Sequence, residues 1–195
     1  MEFNPFVIVY SILQFIAFLL VLVGTPLDMF RSRQRSVFNE TSCVLLWGVK
    51  RNCSSIVYAA TSDDRWVMCP TRRTHFRVAR VFAVITIVVY CAAFVLGFIM
   101  LCCYACLRWV CLGLNIVGFV TLAIPLALMV VSYQTDEDLA CPQLKRDFNF
   151  GIGFSLFAAA LCLDLVNIAF LFIPWSHENE EGSSSHSKEG NSQEE

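Results

Sequence analysis

The sequence predicts a membrane α+β fold, a bundle of four transmembrane helices with a small β-sheet built mainly from the first loop. Three observations predict it. The chain is 57% hydrophobic and only 15% charged, with a mean hydropathy of +0.62, whereas soluble domains sit nearer half apolar and a quarter charged. Its apolar residues are concentrated in four runs of about 20 residues or more, the length that crosses a hydrocarbon core of about 30 Å. Between the first two runs lies the one sizeable polar segment, residues 27–77, in which short β-favouring stretches alternate with turn-like residues.

The elements follow in order. Residues 1–5 are a stub without a basic residue, and residues 6–26 (FVIVYSILQFIAFLLVLVGTP) form the first span. Lacking a basic n-region and an Ala-x-Ala-like cleavage site, this run reads as a retained helix, an uncleaved signal-anchor. Gln14 in mid-membrane calls for a partner on another helix, and Gly24-Thr25-Pro26 ends the run. In the loop at 27–77, strands are expected at Cys43–Trp47, Ser55–Ala59 and Trp66–Met68. Residues 78–103 form the second span, 104–108 a tight turn with Arg108 as its sole charge, and 109–133 the third span, so these two helices make an antiparallel hairpin. Pro125 should kink the third span, with neighbouring helices satisfying the freed carbonyl. A second loop covers 134–147 and a fourth span 148–175. There Gly151 and Gly153 permit close helix approach and Trp175 fits an interfacial anchor. Residues 176–195 are Ser, Glu and Gly with almost no apolar side chain, a composition expected to be disordered.

One motif stands out in the first loop: Cys43-Val44-Leu45-Leu46-Trp47-Gly48-Val49-Lys50-Arg51-Asn52-Cys53. It resembles the signature of the amastins, surface glycoproteins of kinetoplastid parasites. The family pattern is Cys, an apolar residue, Ser or Thr, Leu-Trp-Gly, any residue, a basic residue, any residue, a polar residue, Cys. Leu46, Trp47, Gly48 and Lys50 occupy their expected places, and Leu45 stands where Ser or Thr is usual. The resemblance runs through all four apolar segments. It implies abundance on the parasite surface and a part in host–parasite interaction. A Trp close to a paired Cys in the first loop of a four-span protein is also similar to the claudin architecture, an analogy of fold alone.

Of the ten cysteines, Cys43, Cys53, Cys69 and Cys141 lie in polar loops, where pairing in an oxidising compartment is expected. A bridge between Cys43 and Cys53 closes a short loop, contributing about 2–3 kcal/mol by the chain-entropy argument, and Trp47 is expected to pack against it. The alternative is a metal pair, but no His lies nearby and the spacing is not that of a zinc site. Cys69 and Cys141 remain as the second pair, joining the two loops. Cys102, Cys103, Cys106 and Cys111 crowd the hairpin turn. Cys103-x-x-Cys106 can be read as a metal-ligand pair; palmitoylation of Cys102, Cys103 and Cys106, or simple packing, is the expected reading.

Four spans place both termini on one side. Ten of the 14 Lys and Arg residues lie between Arg31 and Arg80, which by the positive-inside rule puts the loops in the cytosol. The glycosylation sequons at Asn39 and Asn52, the loop cysteines and the amastin resemblance put them outside. The expectation is a multi-pass plasma-membrane glycoprotein with an extracellular loop sheet and both termini cytosolic.

Asp164, with Asn167 one turn later, lies inside the fourth run. An intramembrane carboxylate is a candidate proton relay or ion site; the competing expectation is hydrogen bonding to Gln14, Asn115 or Thr121 across the bundle. His75 reads as an interfacial residue. No phosphate-binding Gly loop, HExxH or Gly-x-Ser-x-Gly occurs, so neither catalysis, a cofactor nor a metal is expected. The loop's basic residues are not interleaved with aromatics on a helix, so nucleic acid is not expected; acidic glycans or lipid headgroups could meet them by charge. The leading functional reading is a non-catalytic surface protein embedded in the bilayer. Its disulfide-fixed loop contacts neighbouring membranes or host-cell ligands. The alternative is a proton or ion transporter or channel that uses Asp164, working as a homo-oligomer. A membrane hydrolase has the least support.

Overall fold

Helices with the length and apolarity to cross a membrane form the body of the protein, in a computed structural model that describes residues 5–33, 41–100, 104–137 and 141–172. They are α1 (Pro5–Gly24), α3 (Pro70–Met100), α4 (Tyr104–Gln134) and α6 (Ile152–Phe172), with two single-turn helices, α2 (Ser62–Arg65) and α5 (Leu144–Asp147), in the connections. Both α1 and α3 begin at a proline, which is tolerated in the first turn because its missing N–H would have no partner there. The four long helices pack as a ring, α1 on α3, α3 on α4, α4 on α6 and α6 on α1. Lipid gives no hydrophobic drive for this association, so close packing must supply it. Ala79, Ala83 and Ala93 form the buried face of α3. Gly118 of α4 lies so near the Tyr90 ring of α3 that a Cβ there would approach to 2.8 Å.

The helix bounds differ from the hydropathy reading in three places. The second span was expected from residue 78, but α3 starts at Pro70, because Arg72, Phe76 and Ala79 repeat at helical spacing and are buried on one face. Hydropathy marks only the lipid-facing part of such a helix. The expected turn at 104–108 is instead the first part of α4. The expected start of the fourth span, Phe148–Phe150, is a β-strand. Residues 1–4, the Asn39 sequon, Cys102, Cys103, Trp175 and the acidic tail lie outside the described residues.

At one end of the bundle a five-stranded antiparallel sheet runs in the order β4-β3-β2-β1-β5, with β1 Asp28–Ser32, β2 Cys43–Leu45, β3 Gly48–Lys50, β4 Ala60–Thr61 and β5 Phe148–Phe150. Of the three expected strands, Cys43–Trp47 overlaps β2. Ser55–Ala59 is irregular, with Ala59 N–H donating to Val49 O of β3, and Trp66–Met68 is the turn between α2 and α3. Strand β1 and its neighbour β5, the edge strand, are continuous in sequence with spans α1 and α6, so the sheet is built onto the membrane helices. Gly151 makes that junction possible: a Cβ there would collide with the Asp28 carbonyl and carboxylate. Phe30, buried in β1, lies stacked on Tyr133 with centroids 5.9 Å apart, also 5.9 Å from Phe150, and joins the sheet to the helical core.

Candidate functional site

The signature motif folds as a disulfide-closed hairpin. Cys43 pairs with Lys50 and Val44 with Val49 across β2 and β3, and the Cys43–Cys53 bridge closes the hairpin behind the strands. Each signature residue has a task set by this geometry. Leu46 is fully buried and enters the core shared by sheet and bundle. Gly48 is required because a Cβ there would stand 2.5 Å from the Ala60 carbonyl. Lys50 lies over the Tyr58 ring at 5.0 Å, a cation–π contact. Trp47 is not packed into the interior as expected. It is 37% exposed and borders an open groove with Arg77, Arg80, Val81 and Val84 of α3. The tryptophan that is buried is Trp66, 6% exposed, within the core that also holds Cys69 and Cys141.

The loop is clamped to α3 by charge. Thr61 caps α2 by accepting from the Asp64 N–H, and Asp63 on that turn receives Arg73 at 3.2 Å, Arg77 at 2.8 Å and Arg80 at 3.1 Å. Partial burial disfavours the charged form of Asp63, but the three guanidinium hydrogen bonds outweigh it and hold its carboxyl below the ordinary value. Arg73, Arg77 and Arg80 are thus engaged by the folded loop. Arg31 pairs with Asp28 and Arg33 donates to Asn149.

The second loop docks on the start of α3. Glu137 accepts from the Thr71 and Arg72 backbone N–H groups at 3.2 and 2.5 Å, an anion placed where the helix exposes unpaired donors. Arg72, almost fully buried, donates to the Pro142 carbonyl at 2.9 Å and lies 5.0 Å over the Trp66 ring. The Cys69–Cys141 disulfide joins the two loops beside them.

Inside the bundle a second set of polar groups meets. Asn167 donates to Gln14 Oε1 at 2.8 Å, joining α6 to α1, and Asn115 donates to Tyr10 Oη at 2.8 Å, joining α4 to α1. Thr121 donates to Gly118 O of its own helix, and among the described residues its hydroxyl makes no hydrogen bond to another helix. Asp164 is 0% exposed, enclosed within the helices. It interacts electrostatically with Tyr90 of α3, yet neither carboxylate oxygen nor Tyr90 Oη completes a well-directed hydrogen bond among the described residues. The role foreseen for Asp164 as a hydrogen-bonded tie to Gln14, Asn115 or Thr121 therefore passes to Asn167.

The remaining sequence candidates are dispersed. Asn52 accepts from the Ser54 N–H and hydroxyl in a turn beside the Cys43–Cys53 bridge. His75 Nδ1 lies 3.0 Å from Ser132 Oγ and links α3 to α4. Cys106 lies in the first turns of α4, and Cys111 is buried without a disulfide. Arg108 donates to the Leu171 carbonyl at 3.0 and 2.6 Å, satisfying the far end of α6. Sequence reasoning missed Asp63, Trp66, Glu137 and Tyr90. The spacing of Arg73, Arg77 and Arg80, on successive turns of one helix face, was the available signal for the first.

A comparison with curated proteins finds no match. Residues 15–171 match the family model described as Amastin surface glycoprotein, a span that runs from α1 to the last turn of α6 and includes the signature hairpin and both disulfides. With the signature, the four spans and the loop sheet in place across that span, the chain belongs to the amastin surface glycoprotein family.

Proposed function

We propose that the protein is a non-catalytic surface glycoprotein whose sheet end, held outside the cell with both termini in the cytosol, docks onto host or neighbouring membrane surfaces. The observation that carries the reading is the exposure of large apolar side chains beside the two disulfides. Ile56 and Val57 are 90% and 75% exposed, between Cys53 and β4, and Met68 is 81% exposed next to Cys69. A soluble loop rarely presents large apolar side chains so fully unless a partner covers them. The two disulfides fix the chain next to these side chains, so less ordering entropy is lost on docking. Glycans on Asn39 and Asn52, both in the first loop, would lie on this same side of the membrane.

The test has two arms. Glycosidase treatment of cells should shift the mobility of the protein, and Asn39→Gln should run smaller; loop labelling only after permeabilisation would overturn the orientation. Ile56→Ser/Val57→Ser/Met68→Ser should reach the surface in normal amounts while binding of the carrying cells to host cells falls severalfold. Unchanged binding would refute the docking role. The second reading, ion or proton transport, rests on the enclosed Asp164 carboxylate, which faces the Tyr90 hydroxyl of α3. Flux in liposomes that is robust for the wild type and absent in Asp164→Asn would establish it in place of the first.

A further inference from the structure

At the sheet end of α3, side chains of opposite character follow one another down a single helix face. Arg77, Arg80, Val81 and Val84, with Trp47 from the signature hairpin, enclose an open groove of about 310 Å³. Three arginines converge on the single carboxylate of Asp63, which leaves an excess of two positive charges at this spot. The neighbouring Asp64 carboxylate, held by the Thr61 hydroxyl at 2.6 Å, lowers this excess without cancelling it. Arg77 remains 58% exposed despite its ion pair. Immediately below, Val81 and Val84 are 58% and 46% exposed, and Val88, one turn further along the same face, is 63% exposed. This valine track runs into the apolar part of α3 that faces lipid.

We propose that this groove binds an anionic phospholipid of the adjacent leaflet, its phosphate on Arg77 and Arg80 and an acyl chain along Val81 and Val84. The chemistry of both halves selects this occupant. A guanidinium offers paired N–H donors that match phosphate oxygens, and the bond is strengthened where water is scarce. An indole at headgroup level is at home with one polar edge and one apolar face. Free phosphate or an acidic glycan would use the arginines but leave the valine track without a role. The inference holds whichever side of the membrane the sheet faces, and it does not depend on the docking function.

Native mass spectrometry of protein released from nanodiscs of mixed phosphatidylglycerol and phosphatidylcholine measures the lipid retained. Phosphatidylglycerol should be retained in preference, and Arg77→Gln/Arg80→Gln should lower its retention about tenfold, the effect of losing one or more charge-assisted hydrogen bonds. Arg33→Gln, which removes the same charge elsewhere on the sheet, should leave retention unchanged. Asp63→Asn provides the decisive direction, because removing a carboxylate should raise retention through charge, whereas mere damage to the fold would lower it. This variant decides the matter even if the double arginine change fails to fold. Equal retention of the two lipids, insensitivity to the arginine changes, a fall in Asp63→Asn, or displacement of the lipid by inorganic phosphate or heparin would each overturn the proposal.

Discussion

Two tryptophans in the first loop look alike in sequence and differ in burial, and the difference sets their contributions to stability. Trp66 lies in the core between Phe76, 5.7 Å away, and the guanidinium of Arg72, so Trp66→Ala is expected to cost about 3–5 kcal/mol in unfolding experiments on the purified protein. Trp47→Ala should cost well under half of that, because its ring is already partly solvated. Equal losses would show that Trp47 is covered in solution. In the bundle, the same reasoning separates Asn167 from Asp164. Asn167→Leu removes the bond to Gln14 and should lose about 0.6–2 kcal/mol of helix association. Asp164→Asn should be close to neutral and Asp164→Leu should hold or raise stability, since an enclosed carboxylate whose contact with Tyr90 is poorly directed is replaced by an apolar side chain. A loss in Asp164→Leu as large as that in Asn167→Leu would reveal a true hydrogen bond to Tyr90.

At the scale of elements, the hairpin and its bridge act as one unit. Cys43→Ser and Cys53→Ser are each expected to destabilise the loop by about 2–3 kcal/mol, and the double change by no more than either alone. Surface yield and protease resistance of the three variants would measure this, with clear additivity counting against a shared bridge. The chain-entropy argument assigns the longer Cys69–Cys141 closure about 4 kcal/mol. The measured value should fall below that, because the α3–α4 hairpin already holds the intervening chain together without any disulfide. The longer bridge thus serves mainly to fix the second loop where Glu137 caps α3 and Arg72 reaches Pro142.

At the scale of the whole molecule, sheet and bundle are one folding unit, because the paired strands β1 and β5 are direct continuations of α1 and α6. Gly151→Ala places a methyl group against the Asp28 carbonyl, so it should disturb this junction and lower the yield of protein with both native disulfides, read by nonreducing electrophoresis. An unchanged yield would mean that the sheet forms independently of the spans. Four runs of apolar residues, the two disulfide partners of the signature and the presence of a loop sheet were all legible in the sequence. Each rests on a local property: hydropathy over about 20 residues, or the count of cysteines left in polar segments. What only the tertiary structure decided is where strands begin, which tryptophan is covered and which carboxylates find partners. Asp28–Ser32 reads as unassigned loop and Phe148–Phe150 as the start of a span, and they become strands because each supplies the other's backbone partners across more than a hundred positions of sequence. The burial of Trp66 and the convergence of three arginines on Asp63 likewise depend on how the loop returns to α3, a long-range contact that no local pattern encodes.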